Sequence, residues 1–82
     1  MHELGIANSV LEAVRAEADN HPGAVPVKVA VRVGELAGIN PDALAFSFQA
    51  LTSGTEWERL ALEVETTGGD ELQLAYLELE EP

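Results

Sequence analysis

The hydrophobic positions of the first twenty residues repeat with the period of an α-helix. Apolar side chains recur at spacings of three and four, and the charged and amide side chains lie largely away from them. The apolar stripe comprises Ala7, Val10, Leu11, Val14 and Ala18. The pattern predicts an amphipathic helix from Leu4 to about Asn20, because Pro22 disfavours helical geometry at the preceding residue and Gly23 permits a sharp exit.

A strand pattern follows this helix. Valines stand at positions 25, 27, 29, 31 and 33 and alternate with proline, lysine, alanine and arginine, which is the period-two pattern of a half-buried strand. Two further strands are predicted, at residues 60–65 and from about 71 to 80. In the last strand the apolar parity changes between Leu74 and Leu77, so we expect a β-bulge near Ala75 and Tyr76 or burial on both faces.

A second helix is predicted between the first two strands. Asn40 is a favourable helix cap, Pro41 fits the first helical position, and Asp42 favours the positive helix end. Gly54 is well placed to terminate this helix. Its apolar face is expected to comprise Leu44, Phe48 and Leu51, widened by Phe46 and Ala50.

These elements predict an α+β fold with the order α-β-α-β-β. Two helices would pack on one face of a small three-stranded mixed sheet and bury both helical stripes with the valine face. The short, glycine-containing turn at residues 66–70 is expected to join the last two strands as a hairpin. Since 82 residues suffice for one domain and the chain has no internal linker, residues 1–82 are expected to form a single domain.

Composition restricts the function classes. Fifteen acidic and four basic residues give a formal net charge of −11, which disfavours nucleic acid and membrane partners. This charge suits a cationic ligand or a basic partner, although it would also simply keep a small protein in solution. There is no cysteine, signal-peptide pattern or membrane-spanning run, so we expect a cytoplasmic protein. No residue set supports catalysis, so an enzyme is not expected.

The most informative candidate site is the amino-terminal sequence Met1-His2-Glu3. The amine of Met1, the deprotonated amide nitrogen of His2 and its imidazole can form fused chelate rings around one metal ion. Three nitrogens in a plane suit Ni(II) or Cu(II), and the region of Glu3, another side chain or water could supply a fourth ligand. The alternative is chance, because roughly one protein in fifty has histidine at position 2 and chain termini are usually solvated.

Two other features have weaker metal-binding interpretations. His21 is the only other histidine, and the predicted first helix separates it from His2 by about 25 Å, so a structural role at the helix end is favoured. Both histidines could bind one ion only across two chains. If the last two strands pair, Glu63, Glu65 and the glutamates at 78 and 80 would form an acidic ladder, more often a solvated face than a cation site.

Read in order, the motifs resemble those of the HypA/HybF family of nickel metallochaperones, which mature [NiFe]-hydrogenases. The resemblance covers nearly the whole chain, with the motifs in the family's order and spacing. The matching segments are Met1–Leu4, Val33–Leu36, Pro41–Phe48, Leu51–Thr55, Asp70–Leu74 and Leu77–Glu80. The resemblance implies an accessory protein that binds Ni(II) at its amino terminus, with His2 as the essential ligand and Met1 and Glu3 in the same motif. A further oxygen ligand of some members falls where this chain has Asn40, and asparagine is a poorer ligand than aspartate.

The resemblance also implies partners, namely a HypB-type GTPase and the hydrogenase large-subunit precursor. An exposed sheet edge would in addition allow a homodimer. The family carries a zinc module with two Cys-x-x-Cys pairs before its terminal strand, and here the turn at residues 66–70 replaces it, so no zinc is expected through cysteine. An engineered deletion or a natural zinc-less paralogue would explain this. The alternative function is a protein-interaction module without metal delivery.

Overall fold

The computed structural model describes residues 3–81, and the predicted fold class is confirmed. The two helices and the three strands of a mixed sheet occur along the chain in the predicted order, and one short 3-10 helix follows the first strand. The elements are α1 (Glu3–Asp19), β1 (Val25–Gly34), the 3-10 helix (Glu35–Ala37), α2 (Pro41–Thr52), β2 (Ala61–Thr67) and β3 (Leu72–Glu80). Within residues 3–81, neither helix is long and apolar enough to cross a membrane.

The strand order is β2-β1-β3, so the expected hairpin between the last two strands is wrong. β1 pairs in parallel with β2 and antiparallel with β3. The reason is that α2 forms the crossover of a β-α-β unit, which places β2 directly beside β1 and leaves only the other side of β1 for β3. Residues 68–71 therefore pass across the end of β1 to connect the two outer strands.

The core lies between the helices and β1. Of the predicted α1 stripe, Ala18 is only partly buried and the other four members are buried. The buried hydrophobic cluster comprises Ala7, Val10, Leu11, Val14, Val29, Val31, Val33, Leu44, Phe48 and Leu60. The expected widening of the α2 face is wrong, because Phe46 is 73% exposed and Ala50 is exposed. At 100° per residue, Phe46 points away from the side of α2 that carries Leu44 and Phe48.

Two irregularities set which side chains face the helices. Ala30 pairs with Tyr76 and Val31 pairs with Leu74, so Ala75 is the extra residue of a bulge in β3, as predicted. A second irregularity lies at Val27 of β1 and was not predicted. It reverses the alternation at the start of the strand, so that the residue at 25 is exposed and the proline at 26 is buried.

The other face of the sheet carries charges of both signs, so the acidic ladder that hairpin pairing would create does not form. β1 separates the glutamates of β2 from those of β3 and contributes two cations. Lys28 Nζ lies 2.7 Å from Glu63 Oε2, and the Tyr76 hydroxyl donates to Glu63 Oε1 at 2.9 Å. Arg32 Nε lies 3.4 Å from Glu65 Oε1. On this face the two cations of β1 are therefore paired with the glutamates of β2.

Replacement of Lys28 by methionine is expected to raise the pKa of Glu63. Hydrogen bonds from Lys28 and then Tyr76 hold the pKa of the Glu63 carboxyl below its ordinary value. The ionised form therefore stabilises the fold above the unfolded-state pKa, and this stabilisation is lost as the pH falls through the folded-state pKa. A carboxyl carbon NMR titration measures the change. Arg15→Met is the control, since Arg15 pairs with Glu12 on α1, and an unchanged Glu63 pKa in Lys28→Met would contradict the prediction.

Candidate metal site

Of the three residues predicted to hold a metal, only Glu3 lies within the part of the chain that the structure describes. Met1 and His2 lie outside the described residues. Glu3 is the first residue of α1 and its acidic side chain lies in the first turn, where the positive end of the helix dipole favours a carboxylate. The described geometry of the candidate site is therefore that of Glu3 and its surroundings.

Glu3 contacts the start of the second helix. The backbone N–H of Asn40 donates to Glu3 Oε2 at 3.2 Å, across 37 positions of the sequence. The side chain of Asn40 caps α2, because its Oδ1 accepts from the N–H of Ala43 at 3.0 Å. The predicted helix-start role of Asn40 is thus confirmed, and the hydrogen bond from its backbone N–H to Glu3 joins the amino-terminal ends of α1 and α2.

This junction has a clear electrostatic character. The first N–H groups of both helices lack intrahelical acceptors and carry partial positive charge. The Glu3 carboxylate compensates this charge and accepts one of the exposed donors from the Asn40 backbone. Asn40 Oδ1 is already engaged by the cap, so its preferred role here is to order the turn. A cation bound near this junction would need the Glu3 carboxylate as a ligand, together with ligands from residues that precede Glu3 in the chain.

His21 is not brought to this junction. It lies in the exposed turn after α1, where its N–H donates to Ala18 O at 3.1 Å and its carbonyl accepts from Ala24 N–H at 3.0 Å. The 17-residue helix α1 separates it from Glu3 by roughly 25 Å. Among residues 3–81, no three histidine, aspartate or glutamate side chains cluster in a way that could hold a metal ion.

Sequence reasoning missed the contact between Glu3 and Asn40. The capping role of Asn40 could be predicted from the sequence because helix capping depends on a local pattern of residue types. The partner of its backbone N–H is set by how the two helices pack, and no spacing rule relates positions 37 residues apart. A signal was nonetheless present, because each residue directly precedes a predicted helix, and the apolar faces of the two helices must pack against one core.

Comparison with known proteins gives a consistent assignment. The family model described as "Hydrogenase/urease nickel incorporation, metallochaperone, hypA" matches residues 1–79. The chain is similar to the hydrogenase maturation factor HypA of Chlorobium limicola, with 40% identity over 65 residues, which cover 79% of this chain and 56% of that protein. It is also similar to the HypA of Rhizobium leguminosarum bv. viciae, with 39% identity over 71 residues, which cover 85% of this chain and 62% of that protein.

A solved structure shares the fold. The solution structure of the Ni metallochaperone HypA from Helicobacter pylori superposes with a TM-score of 0.83 at 14% sequence identity, covering 100% of both chains. At this identity the likeness concerns the fold alone. The matched regions span about half to three fifths of the length of the curated relatives. This chain has no cysteine and hence no Cys-x-x-Cys pair.

Proposed function

Since the chain belongs to the HypA family, we propose that it is a nickel-binding accessory protein that delivers Ni(II) from its amino terminus during [NiFe]-hydrogenase maturation. The observation that carries the proposal is the match to a nickel-incorporation family from residue 1 onward, which includes the candidate chelate. The net charge of −11 supports it, because a strongly negative protein attracts a divalent cation.

The proposed ligands are Met1, His2 and Glu3. The His2 amide nitrogen would lose its proton to solvent when the metal binds. The Met1 amine and this deprotonated nitrogen would form one chelate ring with the metal, and the deprotonated nitrogen and the His2 imidazole would form a second. Glu3 would add carboxylate oxygen at the first turn of α1. A carboxylate has several acceptor sites on its two oxygens, so Glu3 can accept the Asn40 N–H and contact a cation at the same time.

The junction between the helices supports this arrangement. The hydrogen bond from the Asn40 N–H holds the side chain of Glu3, one of the proposed ligands, against the start of α2. A side chain that is already held in place loses less conformational entropy on metal binding than a freely moving one. The proposed partners are a HypB-type GTPase and the hydrogenase large-subunit precursor, in the cytoplasm, and the chain acts as a carrier and not as an enzyme.

Nickel titration by calorimetry tests this proposal. Untagged protein, whose Met1 terminus is verified by intact mass, is expected to bind about one Ni(II) per chain, and His2→Ala is expected to weaken binding more than about tenfold by removing the imidazole. His21→Ala is the matched control and should leave the affinity unchanged. Equal affinity in His2→Ala would overturn the proposal and favour a protein-interaction module without metal delivery.

A further inference from the structure

The helix-facing side of β3 is incompletely covered. Leu72 pairs in register with Val33 and Leu74 pairs with Val31, so each pair lies on the same face of the sheet. The two valines are 1% exposed, whereas Leu72 and Leu74 are 45% and 40% exposed. The helices therefore cover the middle of the sheet and leave its β3 side open to solvent.

An apolar groove of about 400 Å³ follows this uncovered side. Leu72 and Leu74 line one wall, and the first half of α1, including Ile6, Ser9 and Ala13, lines the other. The α1 wall has small side chains at several positions, so the groove is wide enough to admit side chains from outside. Its α1 wall begins at Gly5, two positions after Glu3.

The same groove borders an unpaired sheet edge. Within the described residues β3 has β1 as its one strand neighbour, so the outer edge of β3 presents backbone N–H and C=O groups without a sheet partner. An open edge beside an apolar groove is the geometry in which an extended segment adds a strand. Its backbone bonds the edge, and its alternate side chains enter the groove.

The negative charge around β3 favours a basic segment as the binding partner of this edge. Residues 70–81 include five acidic residues and no lysine or arginine, the acids being Asp70, Glu71, Glu78, Glu80 and Glu81. The three ion pairs within residues 3–81 engage glutamates of α1 and β2 and none of β3. A basic strand beside β3 would therefore gain opposite-charge pairs, whereas a second copy of this chain would bring the same acids and its net charge of −11.

We propose that the groove between α1 and β3, together with the free edge of β3, is a docking site for an extended segment of a partner protein in which apolar and basic residues alternate. The segment adds a fourth strand beside β3, places its apolar side chains between Leu74 and α1, and holds its basic side chains near the acids of β3. The occupant would lie close to Glu3, yet the site uses no residue of the proposed metal chelate. Docking therefore does not require nickel.

Synthetic peptides test this site on the full chain without metal. The probe is a fluorescein-labelled eight-residue peptide in which valine and lysine alternate. Fluorescence anisotropy is expected to show at least about tenfold tighter binding for this peptide than for one of the same composition with the lysines in one block. Amide chemical shifts should change along β3 and the first half of α1. Methylation of alternate amide nitrogens of the probe should abolish binding, because it removes the strand donors.

A matched pair of variants tests whether the peptide binds in this groove. Leu74→Lys puts a charge into the groove, and Phe46→Lys adds the same charge on the exposed face of α2. We expect at least about tenfold weaker binding for the first and less than a twofold change for the second. The proposal would be overturned if the alternating peptide did not bind, or if the block peptide or the methylated peptide bound as tightly as the alternating one. These peptide comparisons use the unchanged protein, so they hold even if Leu74→Lys misfolds. Sedimentation that reveals a dimer abolished by Leu74→Lys would overturn it in favour of a second copy.

Discussion

Replacement of Gly34 by alanine is expected to lower the melting temperature by at least about 10 °C, as measured by circular dichroism. A Cβ at this position would lie 2.7 Å from the backbone nitrogen of Asp70 and closer still to the carbonyl of Gly69. These are backbone atoms of the connection that passes over the end of β1, so a side-chain rotation cannot relieve the clash. The loop itself must move away from the strand.

The expected cost combines overpacking with lost hydrogen bonds. Gly34 N–H donates to Glu71 O at 2.8 Å, and Leu36 N–H donates to Gly69 O at 2.8 Å, so both bonds depend on the close approach of the loop. Overpacking costs about 1–3 kcal/mol and each lost hydrogen bond about 1 kcal/mol. A loss of about 3–5 kcal/mol corresponds to at least about 10 °C, because 1 kcal/mol shifts the midpoint of a domain this small by about 4–8 °C.

Gly68→Ala is the matched control in the same connection. A Cβ at Gly68 meets no atom within 4 Å, and this glycine is not among those with positive φ. Alanine there should be neutral or stabilise by up to about 1 kcal/mol, by restricting the unfolded chain. If the two variants melt at the same temperature, the loop does not pass against Gly34 as the structure has it.

This connection shows why the fold class was predictable while the strand order was not. The residue types of each helix and strand carry their own periodicity, so the elements and the bulge at Ala75 could be predicted from the local pattern. A short glycine-containing loop ordinarily makes a hairpin, and that local rule predicted the wrong neighbours. The competing non-local rule was available, because one helix between two strands favours a parallel β-α-β unit. Ala30 is completely buried although it lies on the other face of β1 from the buried valines, and burial on both faces is typical of a central strand.

The candidate metal site, too, has one part that the local sequence predicted and one part that depends on how the helices pack. Residue types alone drew attention to Met1-His2-Glu3, because the chelate is formed by neighbours in sequence. The support for Glu3 comes from Asn40, and that contact depends on the packing of α1 against α2. The exposed Phe46 shows the limit of composition, since a large apolar residue within a helix was assigned to the core although its angular position faces solvent.

Addition of three residues before Met1 is expected to weaken nickel binding at least about 100-fold, or about 2.7 kcal/mol, in the same titration. The extension turns the Met1 amine into a peptide nitrogen and moves the new amine three residues farther from His2. The two fused rings formed by the amine, the His2 amide and the imidazole can then no longer close with an amine at their end. His2 and Glu3 remain in place, so the variant isolates the amine from the side chains. An unchanged affinity would show that the Met1 amine is not a ligand of the metal.

A one-residue extension with glycine is expected to behave differently. In Gly-Met-His the new amine, two amide nitrogens and the imidazole supply four nitrogens in one plane, the geometry that Ni(II) accepts in a square-planar site. This variant should therefore still bind nickel, as a yellow, diamagnetic complex that needs no ligand from Glu3. Glu3→Gln should then weaken nickel binding by the native terminus and leave the extended variant unaffected. Equal sensitivity of the two proteins to Glu3→Gln would mean that Glu3 acts only by holding the turn at Asn40, and is not a ligand.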